Sequence, residues 1–454
     1  MRIVLAEDRP RRSQIAQATA LFLAVVLVVV FVLAAVERFG ALAWLAMAIF
    51  PLFVVPRLLI VAGILLDAVL LVLHLLSPST ATLASAAVVP LALVGLALLL
   101  PRSRTVRQRV VSTLPGVLLI LLIGGAIGIA SMPMAQVLIG MRIVIGPIVV
   151  FLAAPAFARG DVEKVTLAAG WLILASNIAA IWQMAAGVGV LQSMGLVYGA
   201  SLRTVDSVLR PPGLFVASYV YGGFASVVAV LLLARLFREG PRRVGFVWIL
   251  LTLAAVVGVV LSTSRFALIV TAAGILGAIL ASSREVSWSV RVASIGASAA
   301  AAFAFLTYGL TSNESWYIRL AVWRDALGEG SSLLGNGWGS AGSATLSSFS
   351  TGARIVDSYF INLYIQIGVL TVVAVIWLVV LVAQGLRARS QASIMRWAGA
   401  CAGVGLIASF TVTETWEYYG AASMVMLALG SAGVSVEQPL AILAKNGERL
   451  ERVK

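Results

Sequence analysis

The chain has 454 residues, 61% of them hydrophobic and only 11% charged, with a mean hydropathy of +1.06 and a formal net charge of +14. No soluble domain of this length hides that much apolar surface, so composition excludes a water-soluble globular enzyme and predicts an all-α, polytopic transmembrane helical bundle. The positive charge does not point to nucleic acid, because the arginines sit in short loops between apolar runs, and one His with one Cys, Cys401, leaves neither an internal disulfide nor an ordinary zinc cluster.

In chain order, the basic start MRIVLAEDRPRR leads into an apolar run with no small-residue cleavage site, which reads as a retained signal anchor. Apolar runs then predict spans near 17–36, 40–56, 58–76, 81–100, 112–130, 137–157, 165–186, 214–234, 244–263, 265–281, 290–309, 358–383, 396–413 and 416–434. The second is short, and 263–265 also reads as a break in one long hairpin, so about 12–14 spans are expected. The third span carries Asp67 and His74, and the sixth carries Arg142. Whether Asp67 and His74 pair with each other or are satisfied separately, mid-span charges this sparse predict a structural, bundle-facing role.

A cytoplasmic N-terminus places PRSRTVRQR (101–109), ARGDVEK (158–164), ARLFREGPRR (234–243), SSREVSWSVR (282–291) and RARSQASIMR (387–396) on one side. With both termini and Arg57, that side holds 24 of the 32 basic residues. The other side holds seven, all arginine: Arg38, Arg203, Arg210, Arg265, Arg319, Arg324 and Arg354. That asymmetry predicts both termini inside. The chain reads as a single integral membrane domain, 1–454, with a first outer loop at 187–213 and a large extracytoplasmic loop, carrying short helices, at 310–357.

The large loop contains ESWYIRLAVWRDALGEG (314–330), where Trp316, Leu320, Trp323 and Leu327 share one helical face suited to the membrane surface. The Gly- and Ser-rich stretch SSLLGNGWGSAGSATLSSFSTG follows, and predicts either a flexible linker or a tightly turned segment. Asp357 ends the loop, as a helix cap or as a working acid. In the first loop, Arg210 precedes two stiffening prolines. The turn LSTSRF (261–266) puts Arg265 beside hydroxyl residues, as a snorkelling side chain or as an anion seat. Arginines, one placed acid and aromatics at membrane depth suit a lipid diphosphate and a hydroxyl acceptor that needs a base.

Four segments resemble the O-antigen ligase and O-antigen/exopolysaccharide polymerase superfamily of bacterial membrane proteins. VLRPPGLFVASYVYGGF is similar to that family's Arg-x-x-Gly-Phe segment, and LSTSRFALIV to its Thr-x-Ser-Arg turn. YIRLAVWRDALGEGSSLLGNGWGSAG is similar to its Arg, Trp and Gly-x-Gly loop, and DSYFINLYIQIGVLT to its loop signature. In that signature Ser358, Gly368 and Thr371 fall in register, and Asp357 stands where the family has His. The resemblance covers about 210 to 371.

The resemblance implies an enzyme of the bacterial cytoplasmic (inner) membrane that transfers a glycan from an undecaprenyl diphosphate carrier to a glycan or lipid-linked acceptor hydroxyl on the outer face. It implies Asp357 as the catalytic base and Arg265, Arg319 and, third, Arg210 as the diphosphate-binding groups. Acid in place of His tilts the expectation from ligase to polymerase. No cofactor, metal or nucleic acid is expected; the partners are the lipid-linked donor, the acceptor and the bilayer. The alternative is a non-enzymatic transporter or flippase of lipid-linked glycan, which calls for a polar central pathway rather than polar outer loops.

Overall fold

The computed structural model describes residues 55–76, 78–198, 201–205, 208–240, 244–281, 321–325, 327–328, 332–347, 357–388 and 394–431. The predicted spans at 17–36 and 290–309, nearly all of 40–56, and Arg319 lie outside the described residues. Every other predicted span falls on a helix, and strand is confined among the described residues to one short ladder.

The first helix, α1 (Pro56–Leu66), has Pro at its start, where a missing N–H costs nothing. It passes through a 3₁₀ turn, Asp67–Val69, into α2 (Leu70–Leu76). The turn accommodates a neighbour: the Leu71 N–H donates to Leu214 O at 3.2 Å instead of staying wholly within the helix. Next come α3 (Pro78–Leu99) and α4 (Arg104–Ser131), the latter capped by Ser103 Oγ on the Val106 N–H at 3.4 Å. After α5 (Met134–Ala153), α6 (Arg159–Ser193) breaks at Gly187 (φ 77°) and runs on for another turn into the first long loop. There β1 (Arg203–Val205) and β2 (Val208–Arg210) pair antiparallel, with Arg203 opposite Arg210.

Helix α7 (Ser218–Glu239) is the hub of the bundle, buried along nearly its whole length. It packs on α6, α8 (Phe246–Leu261), α9 (Arg265–Ala281), α12 (Ile394–Ser409) and α13 (Tyr419–Gly430). Small residues let these backbones touch: a Cβ on Gly405 would collide with Val270 O, and Gly399 lies against Ala428. Such close approach, rather than hydrophobic expulsion from water, holds helices together in lipid. The predicted span 358–383 is two pieces, α10 (Tyr359–Ile367) and α11 (Leu370–Leu386), separated at Gly368 (φ 55°).

Among the described residues, five helical stretches are long and apolar enough to cross a membrane: Pro56–Leu75, Arg104–Ser131, Met134–Ala156, Arg159–Ser193 and Ser218–Glu239. Others, including α8, α9, α11, α12 and α13, are apolar but shorter. Val372, Val373, Ile376, Val379 and Val380 form an exposed apolar stripe on α11, and α4 exposes Val111, Leu118, Leu119, Leu122 and Ile129. Surfaces of this kind face lipid or a partner, not water.

The two ends of the bundle differ. At one end, Arg159 bonds Glu163 (2.7 Å) and Glu239 (2.8 Å), and Arg235 bonds Glu163 (3.1 Å) and Glu239 (2.9 Å), closing a ring of four charges. Trp248 lies 4.0 Å under the Arg235 guanidinium. On the same end Arg57 pairs with Asp161 (2.9 Å), and Arg109 donates to the helix-terminal Gly430 O (2.7 Å). The basic loops that predict a cytoplasmic face therefore also stitch helix ends together. Asp67 takes the structural role expected of a mid-span acid. Its Oδ2 accepts from the Gly420 N–H at 3.0 Å, capping α13 from another helix, with Arg142 rather than His74 as its charged neighbour.

Candidate functional site

The opposite end gathers the long loops, and the Gly-rich segment 332–347 is its keystone. This segment is a wedge, tightly turned rather than a linker. Trp338 is fully buried between α4 and α5, its indole N–H donating to Leu121 O at 3.2 Å and its backbone N–H to Gly124 O at 3.0 Å. A Cβ on Gly124 would sit 2.6 Å from the indole nitrogen, so the tryptophan needs a glycine opposite it. Gly337 (φ 90°) presses on Gly128 so closely that any side chain there would overlap the helix backbone. The wedge also pairs with α10 like a short strand: Asn336 N–H to Ile365 O (2.7 Å) and Gly337 N–H to Gln366 O (2.9 Å). Trp323 packs on Ala341 and Ile365 beneath it.

A chain of side-chain amides runs from this wedge to a pair of glutamates. Gln136 Nε2 donates to Gly339 O at 2.7 Å, and the Gly339 N–H donates to Gln366 Oε1 at 2.9 Å. Gln366 Nε2 donates to Asn362 Oδ1, one turn earlier on α10. That bond leaves Asn362 only its nitrogen to offer. Asn362 Nδ2 donates to Glu414 Oε1 and to Glu417 Oε1, each at 2.8 Å. The Ser343 N–H donates to Glu417 Oε2 at 3.0 Å. Both glutamates belong to the turn TETWEY that joins α12 to α13, whose Thr415–Glu417 is a 3₁₀ turn.

Electrostatics set the protonation of this pair. Two full charges about 4 Å apart repel by roughly 4 kcal/mol at an effective dielectric of about 20. Burial, then the neighbouring Glu417 and Asp357 charges, push Glu414 well above the ordinary carboxylate range. Burial also raises Glu417, but the Ser343 and Asn362 hydrogen bonds oppose it. Burial and the closeness of the two carboxylates thus both favour the protonated form in this pair.

Aromatic rings link the glutamates to arginines. Tyr418 packs against Tyr219 (centroids 5.4 Å apart) and Phe266 (5.6 Å). The Arg203 guanidinium lies 5.2 Å over the Tyr219 ring. Cross-strand pairing puts Arg210 beside Arg203, and Arg265 opens the helix that carries Phe266. Arg203 is exposed, while Arg210 and Arg265 are half-buried.

The structure thus brings together three of the four residues singled out from sequence, Asp357, Arg210 and Arg265, at one end of the bundle. Arg319 lies outside the described residues. Asp357 is exposed and precedes the N-cap of α10. The cap position belongs to Ser358, whose hydroxyl donates to Phe410 O at 3.1 Å. Sequence reasoning missed Glu414, Glu417, Asn362 and Arg203. A signal existed for the glutamates: two acids three residues apart at the outer end of adjacent spans, in a chain with 18 acids in all. Asn362 had none, because a lone amide on an apolar helix looks like many others. Among the described residues no three His, Cys, Asp or Glu side chains converge as a metal-binding group. No family model, curated protein or solved structure matches the chain.

Proposed function

We propose that the protein transfers a lipid-diphosphate-linked glycan to an acceptor hydroxyl at the non-cytoplasmic end of the bundle, as a polysaccharide polymerase of the O-antigen ligase and polymerase type. The observation that carries this reading is that Asp357 and the Glu414–Glu417 pair lie at the same end of the bundle as the element ends that carry Arg203, Arg210 and Arg265, with Arg203 over the Tyr219 ring that packs on Tyr418. The arginines supply charge for a diphosphate leaving group, and an exposed carboxylate supplies a base. In the proposed reaction the acceptor oxygen attacks the anomeric carbon of the donor's first sugar. Asp357 takes the hydroxyl proton, the bond from that carbon to the diphosphate breaks, and the electron pair leaves on the phosphate oxygen. Arg265, Arg210 and, from the resemblance alone, Arg319 steady that charge as it develops. Support also comes from the four sequence segments noted above, each of which has described residues at this end of the bundle.

The test is transfer in proteoliposomes supplied with an undecaprenyl-diphosphate-linked oligosaccharide. Chain extension with release of the lipid diphosphate is expected, and it should need no nucleotide or metal. Movement of the donor across the vesicle bilayer without new glycosidic bonds would replace this reading with the transporter.

A further inference from the structure

We propose that Arg109 and Arg396 form a binding site for a phosphate group at the end of the bundle that holds the ring of ion pairs, and that the group it takes is the headgroup phosphate of an anionic phospholipid. The site lies at the opposite end of the molecule from the carboxylates and does not depend on the reaction proposed above.

Two helix ends bring the arginines together. Helix α13 finishes at Gly430, whose carbonyl accepts from Arg109 Nη1 of α4 at 2.7 Å. Helix α12 packs on that same end: a Cβ on Gly399 would lie 2.8 Å from Leu429 N, and Arg396 stands about one turn before Gly399. At Gly385, near the end of α11, an added Cβ would meet the Leu429 side chain at 3.0 Å and Arg396 O at 3.3 Å. Arg109 and Arg396 thus flank the Leu429–Gly430 terminus, near enough to repel one another.

The two arginines are placed on unequal terms. Arg109 caps the negative end of α13, where a cation is favoured. Arg396 stands in the first turn of α12, where the positive end of a helix disfavours a cation. Its side chain is half-buried, and its Nε is shut off from solvent with no hydrogen-bond partner among the described residues. A shielded donor on a charged group with no acceptor is costly, and so is a second guanidinium beside it. One anion offsets all of these terms. It accepts from Nε, screens Arg396 from Arg109, and sits at the favourable end of α12. Phosphate suits the place best, because the guanidinium edge that contains Nε grips two of its oxygens at once.

The surroundings choose the source of the phosphate. The Arg109 guanidinium lies 4.7 Å over the Phe151 ring, and Phe151 meets the half-buried Trp377 edge to face at 5.6 Å. Beyond this aromatic floor, Val111 on α4 and Val379 and Val380 on α11 are exposed. A phosphate that carries acyl chains lays them on these apolar surfaces while its charge reaches the arginines. A free phosphate ion gains only the arginines.

The test is native mass spectrometry and thermal unfolding of the full-length protein in detergent, delipidated and then supplied with phosphatidylglycerol, phosphatidylcholine or inorganic phosphate. The parent should retain phosphatidylglycerol in preference to phosphatidylcholine, and phosphatidylglycerol should raise its unfolding midpoint. Arg396→Gln should weaken that retention by about tenfold or more and abolish the rise. Arg102→Gln, at an exposed arginine of the same end, should change retention by less than about threefold. Without lipid, Arg396→Gln should unfold no earlier than the parent, since it removes a repulsion; an arginine with a purely structural task would give the opposite result. Stabilisation by inorganic phosphate with no preference for phosphatidylglycerol would overturn the lipid assignment in favour of a free anion. Equal retention of the two lipids with no effect of inorganic phosphate overturns the site, and an acid of the chain seated on the two arginines would give that result. Parent-like retention by Arg396→Gln overturns it as well. Should that variant not fold, Arg396→Lys takes its place: it keeps the charge and loses the fork, so retention should still fall severalfold, and parent-like retention would again overturn the site.

Discussion

Asp357 carries the question of chemistry at the smallest scale. A capping role would tie it to helix stability, but the cap position of α10 belongs to Ser358 and Asp357 is exposed. Asp357→Asn should therefore fold and express like the parent. Its transfer rate should fall by roughly two to four orders of magnitude, because the amide cannot accept the proton. Parent-like transfer from that variant would remove Asp357 from the chemistry. Arg265→Lys keeps the charge but loses the planar fork, and transfer should drop while the fold holds. The glutamates make a stability prediction as well. Both bind protons more tightly folded than unfolded, where a glutamate ionises near about 4.3. Folding stability should therefore fall as pH rises from that value through the folded one. The midpoint of thermal unfolding in detergent should track this decline, and Glu414→Gln should flatten it. In the sequence these two acids were visible as an oddity, but their partner Asn362 was not. What selects that amide is its distance from a turn some fifty residues later, about which local pattern says nothing.

At the scale of single elements, the Gly-rich loop shows the limit of composition. Glycine and serine permit either a linker or a tight turn. The deciding partners are Gly124, Gly128 and Gly140 on two helices two hundred residues earlier, which clear the space that Trp338 and Gly339 fill. Trp338→Ala should cost about 3–5 kcal/mol by emptying that slot. Gly337→Ala should be at least as disruptive, since its methyl meets the backbone of Gly128. Both are measurable as lost thermal stability, and a linker would tolerate both. The broken helix at Asp67–Val69 has the same kind of cause. Its hydropathy is that of an ordinary span, but Leu214 draws off the Leu71 N–H, and Asp67 turns to the N-terminus of α13. Asp67→Ala should cost about 1–2 kcal/mol through the lost cap.

For the molecule as a whole, the two ends predict a sidedness. Leu333 is 73% exposed at the end holding the carboxylates, and Arg102 is exposed at the end holding the ring of ion pairs. In a Cys401→Ala background, Leu333→Cys should react with an impermeant thiol reagent added to intact cells freed of any outer barrier. Arg102→Cys should react only after the membrane is opened. The reverse pattern would move the proposed site to the cytoplasmic face.

The amino-acid sequence by itself determined the helical class, helix under every predicted span that is described, and the segregation of basic loops to one end, but not the helix ends: Arg104–Ser131 and Arg159–Ser193 begin well before the spans read at 112–130 and 165–186. These follow from local quantities: how much apolar side chain a run of twenty residues carries, and where charge interrupts it. It also marked Asp357, Arg210 and Arg265, whose neighbours in sequence already set them apart. Tertiary structure alone decided that the glycine-rich loop is a wedge, that Asp67 caps a distant helix, and that Asn362 joins two glutamates to that loop. Each of these is a hydrogen bond or close contact between segments far apart in the chain. A polar group at membrane depth must find such a partner, but which one it finds depends on how the helices pack.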